Sequence, residues 1–297
     1  MKSTLTHDVV AAVEAIFADA GIEGAVCAKV LGRPEVVEVR VDADRIYPTA
    51  SLYKLPLIIA FVRACEEGLV DPREQVRLEP SQRTRGGTGL SVLLDPVTMS
   101  WRDLARMAVT VSDNAAGDAL LHLLGEADIG AMLSTLGAEC THVRGGAALT
   151  LDLLAEQHGH EVVKPADINI GQDSHALDPK RVSSTTPADM VRLVEQVWMD
   201  QAASAPGCAF VREVLSQQVW AHRFAGAFSY PGVSIAAKTG SLGPLRHEAG
   251  AVQHRDEPPV ILCVMTRAAR RDPSLPRADA AVGAAARELV QFLRQFL

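Results

Sequence analysis

The sequence lacks the features that typify membrane-spanning and nucleic-acid-binding proteins. Its longest apolar run, Leu55 to Val62, covers only eight residues, whereas a membrane-spanning helix needs about 20. Basic residues are outnumbered, with 29 Lys and Arg against 36 Asp and Glu, and they form no Lys/Arg-rich run. We therefore expect neither a membrane nor a nucleic acid among its partners.

Cysteine is also scarce, and the N-terminus carries no recognisable leader. The five cysteines, an odd number in 297 residues, form no Cys-x-x-Cys pair and no Cys/His cluster with zinc-ligand spacing. The first residues lack the apolar segment and small-residue cleavage site of a secretory signal peptide. We expect reduced and mostly buried thiols, a cytoplasmic location, and no metal or organic cofactor.

Hydrophobic periodicity predicts strands near both ends of the chain and helices between them. Predicted helices cover 6–20, 51–67, 101–110, 113–124, 127–136, a stretch that begins at Thr186-Pro187, and roughly 279–297. Alternating branched residues predict a hairpin of two strands, 25–30 and 36–41, and three later strands are predicted between Gly- and Pro-containing turns, at 233–237, 249–254 and 260–266. Between 137 and 183 the pattern weakens, and only 149–157 is typical of a helix. This order indicates an α/β layer assembled from the two termini, with a helical insertion.

Ser51 and Lys54 form the first of three short strings that carry chemistry. The serine opens a predicted helix, and the lysine follows three residues later on the same helix face, about one turn away. A lysine amine at that position suits removal of the serine proton, and the N–H groups at a helix start suit an oxyanion. Alone, the pair is a weak signal and is better interpreted as a capping serine beside a surface lysine.

The other two strings are Ser112-Asp113-Asn114 and Lys238-Thr239-Gly240-Ser241. Alone, the first is a break between two helices, with Ser112 or Asp113 as the N-cap, and the second is the turn after strand 233–237. The chain has only six lysines, and two of them fall in the three strings. The conjunction of all three strings, in this order, indicates one kind of site.

This conjunction resembles the serine penicillin-recognising superfamily, most closely the class A β-lactamases and their signal-less serine-hydrolase relatives. The resemblance covers most of the chain; the stretches that carry it are 48–56, 87–90, 101–118, 183–190, 238–241 and 246–248. It implies an α+β fold of the β-lactamase/transpeptidase-like type, a five-stranded antiparallel sheet with flanking helices plus an all-α domain. We expect a sheet domain of 1–48 and 215–297 and a helical domain of 49–214, with the active site at their interface.

The resemblance also implies catalytic roles. Ser51 is expected to be the nucleophile of an acyl-enzyme, and Lys54 its general base, with a pKa lowered by burial and by the nearby cation Lys238. Ser112 is expected to pass a proton to the leaving nitrogen. The backbone N–H groups of Ser51 and Ser241 are expected to form the oxyanion hole.

Binding roles follow from the same resemblance. Asn114 is expected to hold a substrate amide. Lys238, Thr239 and Ser241 are expected to bind an anionic group such as a carboxylate. Arg246 has two open interpretations, as a second carboxylate anchor or as a surface salt bridge. The implied partner is a small-molecule substrate with an anionic group.

One departure from the family pattern concerns deacylation. Class A β-lactamases carry an Ω-loop Glu in a Glu-x-x-Leu-Asn setting that directs water onto the acyl-enzyme, and this sequence has no such string. No acid stands in 141–148, where it would be expected, and the interval from Ser112 to Pro187 is longer than usual. Five acids in that interval are alternative bases, although a solvated surface position is the simpler interpretation of each: Asp152, Glu156, Glu161, Asp167 and Asp173.

These observations predict a serine hydrolase that acts through an acyl-enzyme on a β-lactam or a related amide or ester. Because the usual Glu is missing, lysine-assisted acylation is expected, but rapid release of a β-lactam acyl group does not follow. Two alternatives stay open. One is an intracellular esterase, amidase or transacylase in small-molecule metabolism, and the other is a non-turnover β-lactam-binding sensor.

Overall fold

A computed structural model describes residues 2–158, 170–171, 173–270 and 274–297. The helices are α1 (Lys2–Ala20), α2 (Lys54–Glu66), α3 (Trp101–Thr110), α4 (Asn114–Leu124), α5 (Glu126–Thr135), α6 (Gly146–His158), α7 (Pro187–Trp198), α8 (Ala205–Ser216), α9 (Phe224–Ala227) and α10 (Pro276–Arg294). The strands are β1 (Ile22–Val30), β2 (Val39–Val41), β3 (Tyr47–Pro48), β4 (Gln75–Leu78), β5 (Val97–Ser100), β6 (Ser184–Thr185), β7 (Val233–Leu242), β8 (Leu245–His254) and β9 (Val260–Ala268). Short 3₁₀ turns cover Ala50–Tyr53, Pro80–Gln82, Gly89–Val92 and His175–Leu177.

Five strands form one antiparallel sheet in the order β2-β1-β9-β8-β7. In its centre Val26 lies opposite Val264, and Cys27 lies opposite Cys263. Because successive side chains of a strand point to opposite faces, the valine pair joins one hydrophobic core and the cysteine pair joins the other. The predicted α+β class with a five-stranded antiparallel sheet is confirmed.

Helices cover both faces of this sheet. On one face α1 and α10 pack together over β1 and β9, and on the other face α7 packs against β1, β8 and β9. The hydrophobic core on the α7 side of the sheet, which contains Cys27 and Cys263, continues into α2, α3, α4, α5 and α8. This shared core holds the 3₁₀ turn Ala50–Tyr53 against β7. The expected domain boundaries at 48/49 and 214/215 stay a prediction.

Local sequence signals predicted several helix ends correctly. Helix α3 has the predicted bounds, and Asp113 caps α4 by accepting a hydrogen bond from Ala115 N. Thr186 caps α7, with Pro187 in the first turn. Several predictions differ from the structure. Strand β2 is shorter than the predicted 36–41, β8 begins four residues before the predicted 249, and β4 and β5 were not predicted. Strand β7 continues past 237 to Leu242, because the whole Lys238–Leu242 segment pairs with β8. The predicted helix 51–67 begins as an α-helix only at Lys54, because Ser51 lies in the 3₁₀ turn that precedes α2.

Three of the five cysteines are buried. All five are free; Cys27, Cys208 and Cys263 are buried, Cys65 is partly exposed and Cys140 is exposed. The prediction that most thiols are buried is confirmed, and their reduced state stays a prediction. Among the helices of the described residues, none combines the length and the apolarity that a bilayer crossing requires.

The placement of β9 in the core predicts the cost of truncating it. Leu262 is fully buried against α1 and α10, so Leu262→Ala should lower the free energy of unfolding by about 2–5 kcal/mol. Leu69 is 75 % exposed, and Leu69→Ala should change it by less than about 0.5 kcal/mol. Urea unfolding of both variants measures the difference. Equal effects would contradict the position of Leu262 in the core.

Candidate active site

Ser51 lies in a strained turn between β3 and α2. Ala50, directly before it, has a left-handed φ of +45°, which is costly for a residue with a Cβ. The turn is held in place because Thr49 N–H donates to the Ser183 carbonyl at 2.8 Å, and the Thr49 hydroxyl donates to the same carbonyl at 3.2 Å. The sequence therefore presents the candidate nucleophile on a fixed backbone.

His247, on β8, ties the sheet to this turn. Thr266 N–H donates to His247 Nδ1 at 3.1 Å, so the ring proton resides on Nε2 and is donated to the Pro48 carbonyl at 3.1 Å. Burial, together with the positive charge of Arg223, lowers the pKa of this imidazole to about 3. The ring is thus neutral with both nitrogens in use, and it acts as a positioning residue that the sequence analysis gave no role.

Strand β7 passes so close to the turn that Gly240 has no room for a side chain. A Cβ at this position would lie 2.7 Å from the Thr49 carbonyl oxygen and 3.2 Å from Leu52 N. This approach brings the string Lys238–Ser241 alongside the segment that carries Ser51. The glycine of the string is therefore explained by packing against the nucleophile turn.

Lys54 is fully buried at the start of α2. Its Nζ donates to the Ser112 carbonyl at 2.6 Å and to Asn114 Oδ1 at 3.0 Å. Burial lowers the pKa of the amine to about 8, although the charges of Asp118 and Asp113 act in the opposite direction. The two acceptors use two hydrogens, so a neutral amine keeps its lone pair for the proton of a hydroxyl.

Lys238 is the second fully buried amine of the site. Its Nζ donates to Ser112 Oγ at 3.0 Å and to the Thr239 carbonyl at 2.7 Å. Burial lowers the pKa of Lys238 well below its usual value, and the positive charges of Lys54 and Arg223 lower it further. Ser112, with a left-handed φ of +60°, joins the two lysines, because its carbonyl binds one and its hydroxyl binds the other.

Asp113 holds the loop that carries Ser112. It is fully buried, and one carboxylate oxygen accepts from Leu90 N at 2.6 Å. The other oxygen accepts from the Ser91 hydroxyl at 2.8 Å and from Ala115 N at 3.0 Å. The middle residue of the second string therefore fixes the loop and does not face a substrate.

Asn114 was expected to hold a substrate amide, and the structure shows both ends of its side chain engaged. Its Oδ1 accepts from Lys54 Nζ, and its Nδ2 donates to the Arg85 carbonyl at 3.0 Å. A substrate contact at Asn114 would have to share or replace one of these bonds.

Thr239 was expected to contact an anionic group, but its donors are bound by Gln218. Thr239 N–H donates to Gln218 Oε1 at 2.6 Å, and the Thr239 hydroxyl donates to the same oxygen at 2.8 Å. The amide nitrogen of Gln218 donates in turn to Glu248 Oε1 at 3.2 Å. No motif marked Gln218 in the sequence, because it meets Thr239 only through the packing of α8 on β7.

Arg246 is buried, and its guanidinium is held by the protein. Its Nη1 donates to the carbonyls of Gly243 at 2.7 Å and Leu245 at 2.8 Å, and its Nε lies 3.4 Å from Asp279 Oδ1. The surface position in the second interpretation is therefore wrong, since only 7 % of the residue is exposed. The ion pair itself is present, with Asp279 on α10 as the partner.

Arg223 is a fourth buried cation, and no motif in the sequence marked it. Its Nε pairs with Asp279 Oδ1 at 2.7 Å, and its Nη1 donates to the carbonyls of Gly240 and His247. Its Nη2 donates to Ser241 Oγ. Arg223 therefore joins the end of β7, the adjacent strand β8 and α10 in one network.

The stretch 141–148, which was expected to carry the Ω-loop acid, leads into α6, and its last three residues form the start of that helix. Asp118 of α4 accepts from the backbone N–H groups of Ala147 and Ala148, both at 2.8 Å. It also accepts from Tyr53 OH at 3.1 Å and from the Thr84 hydroxyl at 2.7 Å. All four bonds are structural, so this carboxylate is not free to activate water.

Three of the five alternative acids lie in the described part of the chain. Asp152, Glu156 and Asp173 are exposed, which confirms their interpretation as surface carboxylates. Glu161 and Asp167 lie outside the described residues.

Comparison with known proteins defines the class. A model of the β-lactamase enzyme family matches residues 8–293, and the chain therefore belongs to that family. It is 30 % identical over 279 residues to the β-lactamase regulatory protein BlaB of Streptomyces cacaoi, which covers 87 % of this chain and 89 % of that protein. The predicted resemblance to the penicillin-recognising serine superfamily is confirmed.

Solved structures show the same fold at low identity. A β-lactamase of Sphaerobacter thermophilus superposes with a TM-score of 0.79 at 22 % identity, covering 97 % of both chains. A mutant of PBP-A, solved as an acyl-enzyme complex with penicillin G, superposes with a TM-score of 0.77 at 19 % identity, covering 99 % of this chain and 97 % of that one.

The Arg223 network predicts that Arg223→Ala lowers the free energy of unfolding much more than Arg277→Ala does. Arg223→Ala removes a fully buried cation and leaves polar groups of β7, β8 and Asp279 without it, so unfolding free energy should fall by about 3–5 kcal/mol. Arg277→Ala, also at α10, removes only an exposed pair with Asp19 and should cost about 0–1 kcal/mol. Chemical denaturation compares them. A loss at Arg223 as small as that at Arg277 would rule out the network as a stabilising element.

Proposed function

We propose that this protein is a serine hydrolase that forms an acyl-enzyme at Ser51 with a β-lactam or a related activated amide or ester. The observation that carries this proposal is the state of Lys54, a fully buried amine with a pKa of about 8. It lies three residues after Ser51 and has two hydrogen bonds that match a neutral amine. A base with this pKa is partly neutral near neutral pH and can accept the serine proton. Membership of the β-lactamase family supports the proposal.

The residues suggest the following acylation step. Ser51 Oγ forms a bond to the acyl carbonyl carbon while its proton passes to Lys54 Nζ. The N–H groups of Ser51 and Ser241 bind the oxyanion. When the bond from that carbon to the leaving nitrogen breaks, the Ser112 hydroxyl gives its proton to the nitrogen and takes one from Lys238 Nζ, which donates to Ser112 Oγ. Lys54 keeps the serine proton, so the two lysines together hold as many protons after the step as before it. The products are an ester on Ser51 and a neutral leaving amine.

Release of the acyl group is the slow step in this proposal. The two acids whose charges act on Lys54 are Asp113 and Asp118, and their oxygens already accept structural hydrogen bonds. Water activation is therefore assigned to neither of them. The expected consequence is a β-lactam acyl-enzyme that persists.

A non-turnover sensor is the second candidate. The name of the relative BlaB, a β-lactamase regulatory protein, favours this role, as does the occupation of both nearby acids. In a sensor, acylation would be the signal, and release would not be required. An esterase, amidase or transacylase would instead release the acyl group to water or to an acceptor amine or alcohol.

Intact-mass spectrometry after mixing with benzylpenicillin tests the nucleophile and the slow release. We expect an adduct of the mass of the whole penicillin that persists for hours, and none on Ser51→Ala with the fold retained. Labelling of the alanine variant would exclude Ser51 as the nucleophile. Loss of the penicillin without a lasting adduct would contradict slow release, and an intact penicillin without adduct would contradict the β-lactam substrate.

The pKa of Lys54 predicts the pH dependence of acylation. The active form of the base is the neutral amine, so the rate should rise about tenfold per pH unit up to about 8 and then level off. Lys54→Ala should lower the rate by about 10²–10⁴ and remove this dependence. Lys180→Ala, at an exposed lysine, is the matched control and should keep the profile. The measurement is the rate of adduct formation between pH 6 and 9; a flat profile in the unchanged protein would remove Lys54 from the base role.

A further inference from the structure

The side chain of Gln218 occupies the position on β7 where an anionic group is expected to bind. A single oxygen, Oε1, accepts from both the N–H and the hydroxyl of Thr239, at 2.6 and 2.8 Å. A substrate carboxylate oxygen would accept from the same donors. The amide oxygen of Gln218 therefore already binds both donors of Thr239.

The amide of Gln218 is held from its other end as well. Its nitrogen donates to Oε1 of Glu248, a buried residue that lies opposite Thr239 in the β7–β8 register. The second oxygen of Glu248 accepts from Phe224 N at 2.8 Å. The backbone N–H of Thr239 can only donate, so it requires the amide oxygen of Gln218 at Thr239 and leaves the amide nitrogen for Glu248.

The neighbouring cations do not replace these donors. The guanidinium of Arg246 binds two backbone carbonyls and Asp279, and Arg223 binds Asp279, two carbonyls and the Ser241 oxygen. Nζ of Lys238 binds Ser112 and the Thr239 carbonyl. A carboxylate that enters this part of the site therefore gains most from Thr239, whose donors Gln218 occupies.

We propose that Gln218 is a specificity-determining residue whose amide oxygen competes with a substrate carboxylate for the donors of Thr239. This inference rests on the proposed function, since it concerns the substrate class of the same site. A substrate with a carboxylate has to displace Gln218, whereas the same acyl group without the charge does not. The site thereby discriminates against carboxylate-bearing acyl donors relative to neutral amides and esters.

Benzylpenicillin and its methyl ester test this directly, because they differ only in the carboxylate. The quantity compared is the ratio of their second-order acylation rate constants, free acid over ester. Gln218→Ala frees Thr239, so the ratio should rise at least tenfold over that of the unchanged protein. Gln218→Glu keeps an acceptor and adds a negative charge, so the ratio should fall at least tenfold. Gln217→Ala is the control, since Gln217 is exposed and binds Arg106 and Glu213, and its ratio should not change.

Ratios within threefold of the original in both Gln218 variants would overturn the inference. Calorimetric binding of the two compounds in a Ser51→Ala background separates it from the proposed function. In that background, adding Gln218→Ala should raise the ratio of free-acid to ester affinity at least tenfold over that of the Ser51→Ala single variant. The result does not depend on acylation, so it is expected even if the intact protein is not acylated. Absence of free-acid binding by the Ser51→Ala/Gln218→Ala double variant would also overturn it, because the freed donors would then attract no carboxylate.

Discussion

The burial of three cations between the sheet and the helices is the constraint on which the site depends. Lys54, Lys238 and Arg223 are each at most 1 % exposed. Removing a charge from water costs several kcal/mol in practice, so each cation needs acceptors at fixed positions or a lowered pKa. Both solutions occur here. Arg223 has a carboxylate and two carbonyls, whereas the two lysines have mostly neutral acceptors and lowered pKa values. Lowered lysine pKa values are therefore a consequence of the packing, and a lowered pKa increases the fraction of neutral amine that a general base requires.

The buried cations need hydrogen-bond acceptors, and the local backbone conformation provides them. Ser112 adopts a left-handed φ and presents its carbonyl to one lysine and its hydroxyl to the other. On the sheet side, the Gly240 carbonyl accepts from Arg223, and the same residue lies against the nucleophile turn. The hydrophobic core that runs from the sheet into the helices brings the two sides together. Strain at Ser112 and at Ala50 is thus offset by bonds and packing elsewhere.

The parts of the fold and site that were predictable from sequence are those encoded by neighbouring residues. The branched apolar run 260–266 predicts a strand, and Thr186-Pro187 predicts a helix start, because both signals are local in sequence. The three strings were visible for the same reason. The contact of Gln218 with Thr239 spans 21 residues, and that of Arg223 with Asp279 spans 56. Such contacts depend on how α8, β7 and α10 pack, so no residue spacing in the sequence predicts them.

The segment that lacks the Ω-loop Glu of class A β-lactamases is bound at the start of α6 by another acid, Asp118. Two N–H groups at this helix start need an acceptor, and Asp118 supplies it while also accepting from Tyr53 and Thr84. Its charge acts on Lys54 and raises the pKa of the amine, against the effect of burial. The same carboxylate therefore anchors the segment and moderates the base. It does both without a free oxygen to direct water, which separates the requirements of acylation from those of release.

Most of the expected substrate contacts are exchanges with existing hydrogen bonds. Asn114, Thr239 and Arg246 are each engaged by the protein, so a substrate that binds them replaces one bond with another. A net hydrogen bond contributes only about 0.5–1.5 kcal/mol even when it is gained, and an exchange contributes less. Under the proposed function, such exchanges would leave the covalent bond to Ser51 as the main source of occupancy. A persistent acyl-enzyme is how a site of this kind would stay occupied at low ligand concentration.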